Sequence, residues 1–183
     1  KGFKMKGFGE QNKSKKKSDK KSKNSREQII NQAFKFHSQG NILEAAKYYQ
    51  YFINQGFYDH KVFSNYGIIL QSLGKLQDAE LYFRKAIELK PDLEIAHFNL
   101  GNTYYLQQKY KKASDSFRDA LYFNSDLNYV HYYLALSLEN EARYQYHQGL
   151  KKNGITLENQ AKAEYRKAFE KSNVIAKIGL KNR

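Results

Sequence analysis

Small and large side chains return along this chain at a fixed interval of 34 positions, and few folds can produce that pattern. The stretch LGKLQDAELYFRKAIELKPD, residues 73–92, carries Ala79, Phe83 and Ala86. The stretch QQKYKKASDSFRDALYFNSD, residues 107–126, carries Ala113, Phe117 and Ala120, each 34 later. With units starting at Arg26, His60, Glu94 and Asn128, the eighth position reads Ala33, Gly67, Gly101 and Ala135. The twentieth reads Ala45, Ala79 and Ala113, and the twenty-fourth Tyr49, Phe83 and Phe117. Ala86 and Ala120 fill the twenty-seventh position, and Pro91 the thirty-second of the second unit. A period of this length marks a supersecondary unit that buries its apolar face only against a neighbouring copy.

Two helices per unit follow from the spacing between these marks. Ala79, Phe83, Ala86 and Ile87 recur at helical intervals. Gly40 and Gly74 hold equivalent turns, and Gly56 and Pro91 mark helix ends. Ser25 with Gln28 reads as a capping box, and Asp59 and Asp92 read as N-caps. Gly67 and Gly101 fall inside helices, where glycine costs about 1 kcal/mol relative to alanine. Close packing must return more than that. Two antiparallel helices cross closely where the eighth and twentieth positions are both small, and the large twenty-fourth residue fills the space beside them.

The Phe63, Gly67, Gly74, Ala79, Phe83, Ala86, Pro91 set resembles the tetratricopeptide repeat family over about residues 26–171. The resemblance implies an all-α helix-turn-helix solenoid, a right-handed superhelix of about four helix pairs with a C-terminal helix. The expected units are 26–59, 60–93, 94–127 and 128–171, behind an arm of residues 1–25 and before a capping segment, 172–183. The first unit departs from the pattern, with Phe52 in the small twenty-seventh slot and Phe57 in the proline slot. The fourth departs further. Ala161, Tyr165 and Ala168 keep the spacing of positions 20, 24 and 27, but 14 residues are inserted ahead of them. One overlong helix from Asn128 to about Lys151 is expected, turning at Asn153-Gly154, with Thr156 capping the next helix. Val174, Ile175, Ile178 and Leu180 suggest a closing helix.

Charge divides the chain near Ser25. Residues 1–26 hold eleven Lys or Arg against Glu10 and Asp19, within an overall net charge of +14. This Lys, Ser and Gly-rich arm has too little apolar surface to offset the entropy of ordering, so disorder is expected. Its cations suit phosphates of nucleic acid or an anionic membrane, without specificity, and Phe3, Met5 and Phe8 could add a shallow anchor. A solvated tether explains the same composition. There is no cysteine, so no disulfide and no cysteine zinc site. No run approaches a membrane span and no signal peptide is legible, which makes a cytoplasmic protein the expectation. Lys1 is not an initiator, so a start at Met5 or a piece of a longer chain is expected.

In the resembled family, positions 2, 5, 6, 9, 12 and 13 of each unit face a concave groove. Position 6 reads Asn31, Asn65, Asn99 and Tyr133. Amides donate and accept, so such a ladder suits the backbone of an extended peptide. It resembles the ladder in the tetratricopeptide region of O-linked N-acetylglucosamine transferases, although asparagine is common there across the family. Asn102 and the aromatics Phe34, Phe98, Tyr105, Tyr129 and Tyr132 complete the candidate groove. Aromatics are enriched in binding hot spots, and they also pack between repeats. The Lys and Arg clamp of chaperone-tail-binding members is missing: aligned on Asn65, the chain offers Ile30, Phe34, Ile95 and Asn99. No HExxH or phosphate-loop pattern is present, so neither catalytic residue, metal nor cofactor is expected. His97 and His131, both at position 4, read as packing residues. The reading is a protein-interaction scaffold for a protein or peptide ligand. Its start also resembles N-terminal regions of cyanobacterial tetratricopeptide proteins, some of which continue into a transferase domain. Self-association through residues 140–157, with Tyr144, Tyr146 and Leu150, is a further expectation.

Overall fold

The computed structural model describes residues 26–181, with side chains through residue 170, and every regular element among them is a helix. The chain divides into two compact units, one ending at Tyr58 and one starting at Asp59. The first contains α1 (26–38) and α2 (Ile42–Asn54). The second contains α3 (His60–Ser72), α4 (Leu76–Leu89), α5 (Glu94–Leu106), α6 (Tyr110–Phe123), α7 (Asn128–His147) and α8 (Lys151–Lys181). The architecture is an all-α helical solenoid of hairpins. The arm of residues 1–25, Ser25 of the expected capping box, and the side chains of Val174, Ile175, Ile178 and Leu180 lie outside the described residues. The α8 backbone runs unbroken through the place expected for a separate closing helix. No helix among the described residues is long and apolar enough to cross a membrane.

Turn chemistry follows the sequence at most joints. Gly40, Gly56 and Gly74 adopt φ of 72°, 74° and 72°, the left-handed region that a Cβ disfavours. Asp59 caps α3 by accepting from the Lys61 and Val62 amides at 2.9 and 3.1 Å. Asp92 does not cap α5: the chain bends one residue later, so Leu93 takes that place without a side-chain bond. The third unit has Gln108 where the first two have Gly40 and Gly74, and it takes the same bend at φ 59°.

The repeat's small residues are all in the core. Ala33, Ala45, Ala79, Ala86, Ala113, Ala120 and Ala135 are fully buried, and Ala161 nearly so. The contact that demands glycine is more specific than a close helix crossing. A Cβ on Gly67 would lie 2.8 Å from the Phe83 ring, and one on Gly101 would lie 2.7 Å from two Phe117 ring atoms. So the eighth position is bare because the twenty-fourth ring sits on it. The other two hairpins pair alanine with tyrosine: Ala33 with Tyr49, Ala135 with Tyr165. There the phenol is tied to position 12 of the first helix. Tyr49 Oη lies 2.9 Å from His37 Nδ1, and the Tyr165 hydroxyl donates to Glu139 Oε2 at 3.0 Å. Phe83 and Phe117 have no hydroxyl to tie, and their rings rest on the glycines.

The fourth hairpin corrects the expected turn. The bend is at Gln148-Gly149, where Gly149 has φ 76°, not at Asn153-Gly154. Gly154 is instead a buried α8 residue whose missing Cβ admits the Tyr146 ring, at 2.6 Å from the site a Cβ would take. Thr156 caps nothing: its hydroxyl donates back to the Lys152 carbonyl at 3.0 Å. The 14 extra residues are therefore shared. α7 has 20 residues against 13 in α5, and Ala161 sits seven places further into α8 than Ala113 into α6. Seven residues are close to two helical turns, so both helices lengthen without rotating their buried faces.

Candidate functional site

Within the second unit the first helices of successive hairpins touch: α3 contacts α5, and α5 contacts α7. Most of the candidate groove residues stand on this surface. Phe98 of α5 meets Tyr129 and Tyr133 of α7 at ring distances of 4.9 and 5.4 Å, both edge-on. Tyr132 packs edge-on against Tyr133 at 5.7 Å and against Tyr165 of α8 at 5.8 Å. Behind them Phe117 supports both Phe98 and Tyr133, at 5.7 and 6.0 Å. Tyr129 and Tyr132 remain 44 % and 49 % exposed. This is one continuous aromatic surface, buried underneath at Phe117 and half-open above at Tyr129 and Tyr132.

Its edge is polar. Asn140 Nδ2 donates to the Tyr105 hydroxyl at 3.2 Å and to the Leu136 carbonyl at 2.8 Å. Tyr105 in turn meets Tyr110 edge-on at 5.5 Å. The phenols of Tyr105, Tyr129 and Tyr165 stay neutral near neutral pH. Burial raises the pKa of Tyr105, with Tyr110 adding to it, and burial followed by the charge of Glu94 raises that of Tyr129. Burial and then the bond to Glu139 push Tyr165 up to about 12. The surface therefore offers ring faces and hydroxyl groups rather than charge.

The asparagine register is not a row of open amides. Asn99 is only 8 % exposed, and its Nδ2 is buried without a hydrogen-bond partner. Gln71 reaches across from α3 against this turn, donating to the Asn99 carbonyl at 3.3 Å and to Thr103 Oγ1 at 2.8 Å. Asn65 and Asn102 are half-buried on α3 and α5. Asn31 is exposed and Phe34 half-buried in the first unit, where Phe34 packs edge-on against Tyr49 at 6.1 Å. Glu139, Asn140 and Gln71 were absent from the expected set, although all three hold groove positions 12 or 13. Tyr165, a repeat marker by its spacing, also joins this surface through Tyr132 and Glu139. The two position-4 histidines pack, as expected. His97 stacks on Phe123 at 5.2 Å with Nε2 2.8 Å from the Pro91 carbonyl, and His131 Nδ1 lies 2.6 Å from Glu164 Oε2.

Residues 67–108 match the family described as TPR repeat, and residues 95–127 the family described as Tetratricopeptide repeat. Residues 67–127 thus carry tetratricopeptide repeats. Human "Tetratricopeptide repeat protein 6" is 37 % identical over 67 residues, which is 37 % of this chain and 13 % of that protein. The chain thus spans a small part of the length of such relatives. Among solved structures, the MamA protein superposes with a TM-score of 0.67 at 18 % identity, over 86 % of this chain and 79 % of that one. YrrB, described as a TPR protein with an unusual peptide-binding site, superposes with a TM-score of 0.58 at 14 % identity, over 77 % and 71 %. At these identities the likeness is one of fold.

Proposed function

We propose that this tetratricopeptide chain is a non-enzymatic scaffold that holds an extended segment of a protein partner along α3, α5 and α7. The carrying observation is the half-open cluster of Phe98, Tyr129, Tyr132 and Tyr133. Large, stiff rings offer contact area at little cost in side-chain entropy, and buried tyrosines are typical binding anchors. The groove's main polar contribution comes from Tyr105, Asn140 and the half-buried Asn65 and Asn102, since Asn99 is folded inward. Such a surface suits a ligand read by apolar side chains and backbone more than one read by a terminal carboxylate. YrrB, as described, has a peptide-binding site, and this chain's use of the fold is read in the same general sense.

The test is selection of peptides on the wild-type chain, followed by titration against Tyr129→Ala/Tyr132→Ala. Both side chains are about half exposed, so the fold should survive. Loss of two anchors worth about 1–2 kcal/mol each should weaken selected peptides by at least tenfold. Peptides that bind the double variant as tightly as the wild type would remove this face from the account.

A further inference from the structure

Three departures from the internal repeat converge on one place outside the groove. The first is the lengthened α7–α8 hairpin, whose extra two turns overhang the start of α6. The second is Gln108, which holds a left-handed bend where the other units place glycine. The third is Lys112. The equivalent first-turn residues of α2 and α4 are Glu44 and Asp78, which suit the positive end of a helix, whereas a lysine there works against it. None of the three is required by the hairpin packing, and two of them carry a local cost.

Together they enclose a cleft of about 510 Å³, with residues 108–112 on one side and Glu141, Tyr144 and Gln145 on the other. Tyr110 and Tyr144 give it apolar walls, and Tyr144 is 58 % exposed. Lys109, Lys111 and Lys112 face it with Glu141 as the one acid of its lining. Burial pushes the Glu141 carboxyl up, against the opposing pull of Lys111. Lys109 also reaches Glu80 at 3.6 Å, and Lys109 and Lys112 lie over the Tyr104 ring at 5.8 and 5.6 Å; Lys111 and Lys112 are exposed on the rim.

The geometry points to a second docking site here, for a short segment of another protein that carries carboxylates beside an apolar or aromatic side chain. The apolar residue enters between Tyr110 and Tyr144, and the carboxylates meet Lys111 and Lys112. A second copy of this chain is the wrong visitor, because the chain carries a net charge of +14 and like charge opposes its approach to a lysine rim. The cleft adjoins the polar edge of the groove, where Tyr110 meets Tyr105 at 5.5 Å, and none of the Phe98, Tyr129, Tyr132 and Tyr133 rings lines it.

The probe is a fluorescent dodecapeptide of alternating Glu and Leu with one Phe, read by anisotropy. Controls are the same peptide with Lys for Glu, and an all-Glu peptide. The expected result is saturable binding of the first alone, weakening as salt rises. Lys111→Glu/Lys112→Glu should reduce it by about tenfold, and Tyr144→Ala should also weaken it without changing charge. A matched reversal at exposed Lys35 and Lys162, and Tyr129→Ala/Tyr132→Ala, should leave it unchanged. No saturation, equal loss from the matched reversal, or equal binding of the all-Glu peptide would overturn the site. So would self-association that Lys111→Glu/Lys112→Glu abolishes, since the cleft would then serve a second copy.

Discussion

Gly101→Ala puts the packing argument to its sharpest test, because two principles give opposite signs. In an ordinary exposed helix this change stabilises by about 1 kcal/mol, through helix propensity alone. Here the new methyl would stand 2.7 Å from two Phe117 ring atoms and 3.1 Å from a third. Comfortable carbon contacts begin near 3.5 Å, so the ring must give by roughly 0.8 Å. Phe117 cannot give freely: it is fully buried, and Phe98 and Tyr133 rest on it. Overpacking of this kind costs about 1–3 kcal/mol. The net expectation is a loss of about 1 kcal/mol, or a Tm lower by about 2–4 °C for a chain of this size. Thermal unfolding by far-ultraviolet circular dichroism measures it. Phe117→Leu in the same background should remove the clash, so the double variant should be more stable than the two single losses predict, by about 0.5–3 kcal/mol of coupling. A Gly101→Ala variant that melts above the wild type would refute the claim that the ring demands the glycine.

Gln108→Gly should stabilise the chain by about 0.5–1 kcal/mol, since a left-handed L-residue costs about 1–2 kcal/mol and glycine's extra chain entropy returns only part of it; a lower Tm would mean that Gln108 makes native contacts worth more than the strain. Excising 141–147 together with 151–157 should restore a hairpin of ordinary length that still unfolds cooperatively, whereas excising either block alone should cost far more of the helical signal; equal damage from all three would contradict the paired two-turn insertion. Acid sensitivity should change in Glu164→Gln. Burial raises the Glu164 pKa, but the bonds from Lys167 and His131 outweigh it and hold the carboxyl below its ordinary 4.5. A depressed carboxylate contributes stability above its unfolded pKa and loses it as pH falls through the folded one, so urea midpoints measured downward from about pH 5 should fall less steeply in the variant. An unchanged acid limb would assign the acid sensitivity to other carboxylates.

Much of the repeat was legible as a pattern of sizes. Small residues at positions 8, 20 and 27 and a ring at position 24 can satisfy one another only in a close helical hairpin, and that pattern is written linearly. Even the shared insertion leaves a trace, because Gly149 stands seven residues beyond the place the 34-residue period assigns to the turn glycine. The misplaced turn came from treating Asn153-Gly154 as punctuation: glycine serves both a bend and a close approach, and only the position of the Tyr146 ring tells which. The same ambiguity affected Asn99, whose register suits an open groove while its side chain is packed inward beside Gln71.

The period and the small-large code settle the secondary structure and the hairpin partners, because those contacts are local and recur in register. Which polar groups reach a ligand, and the cleft under the long hairpin, come from side chains 28 or more residues apart, such as Gln71 with Thr103 and Asn140 with Tyr105. Such meetings depend on how far one helix overhangs the next and which rotamer fills the gap, and a one-dimensional pattern does not encode those distances.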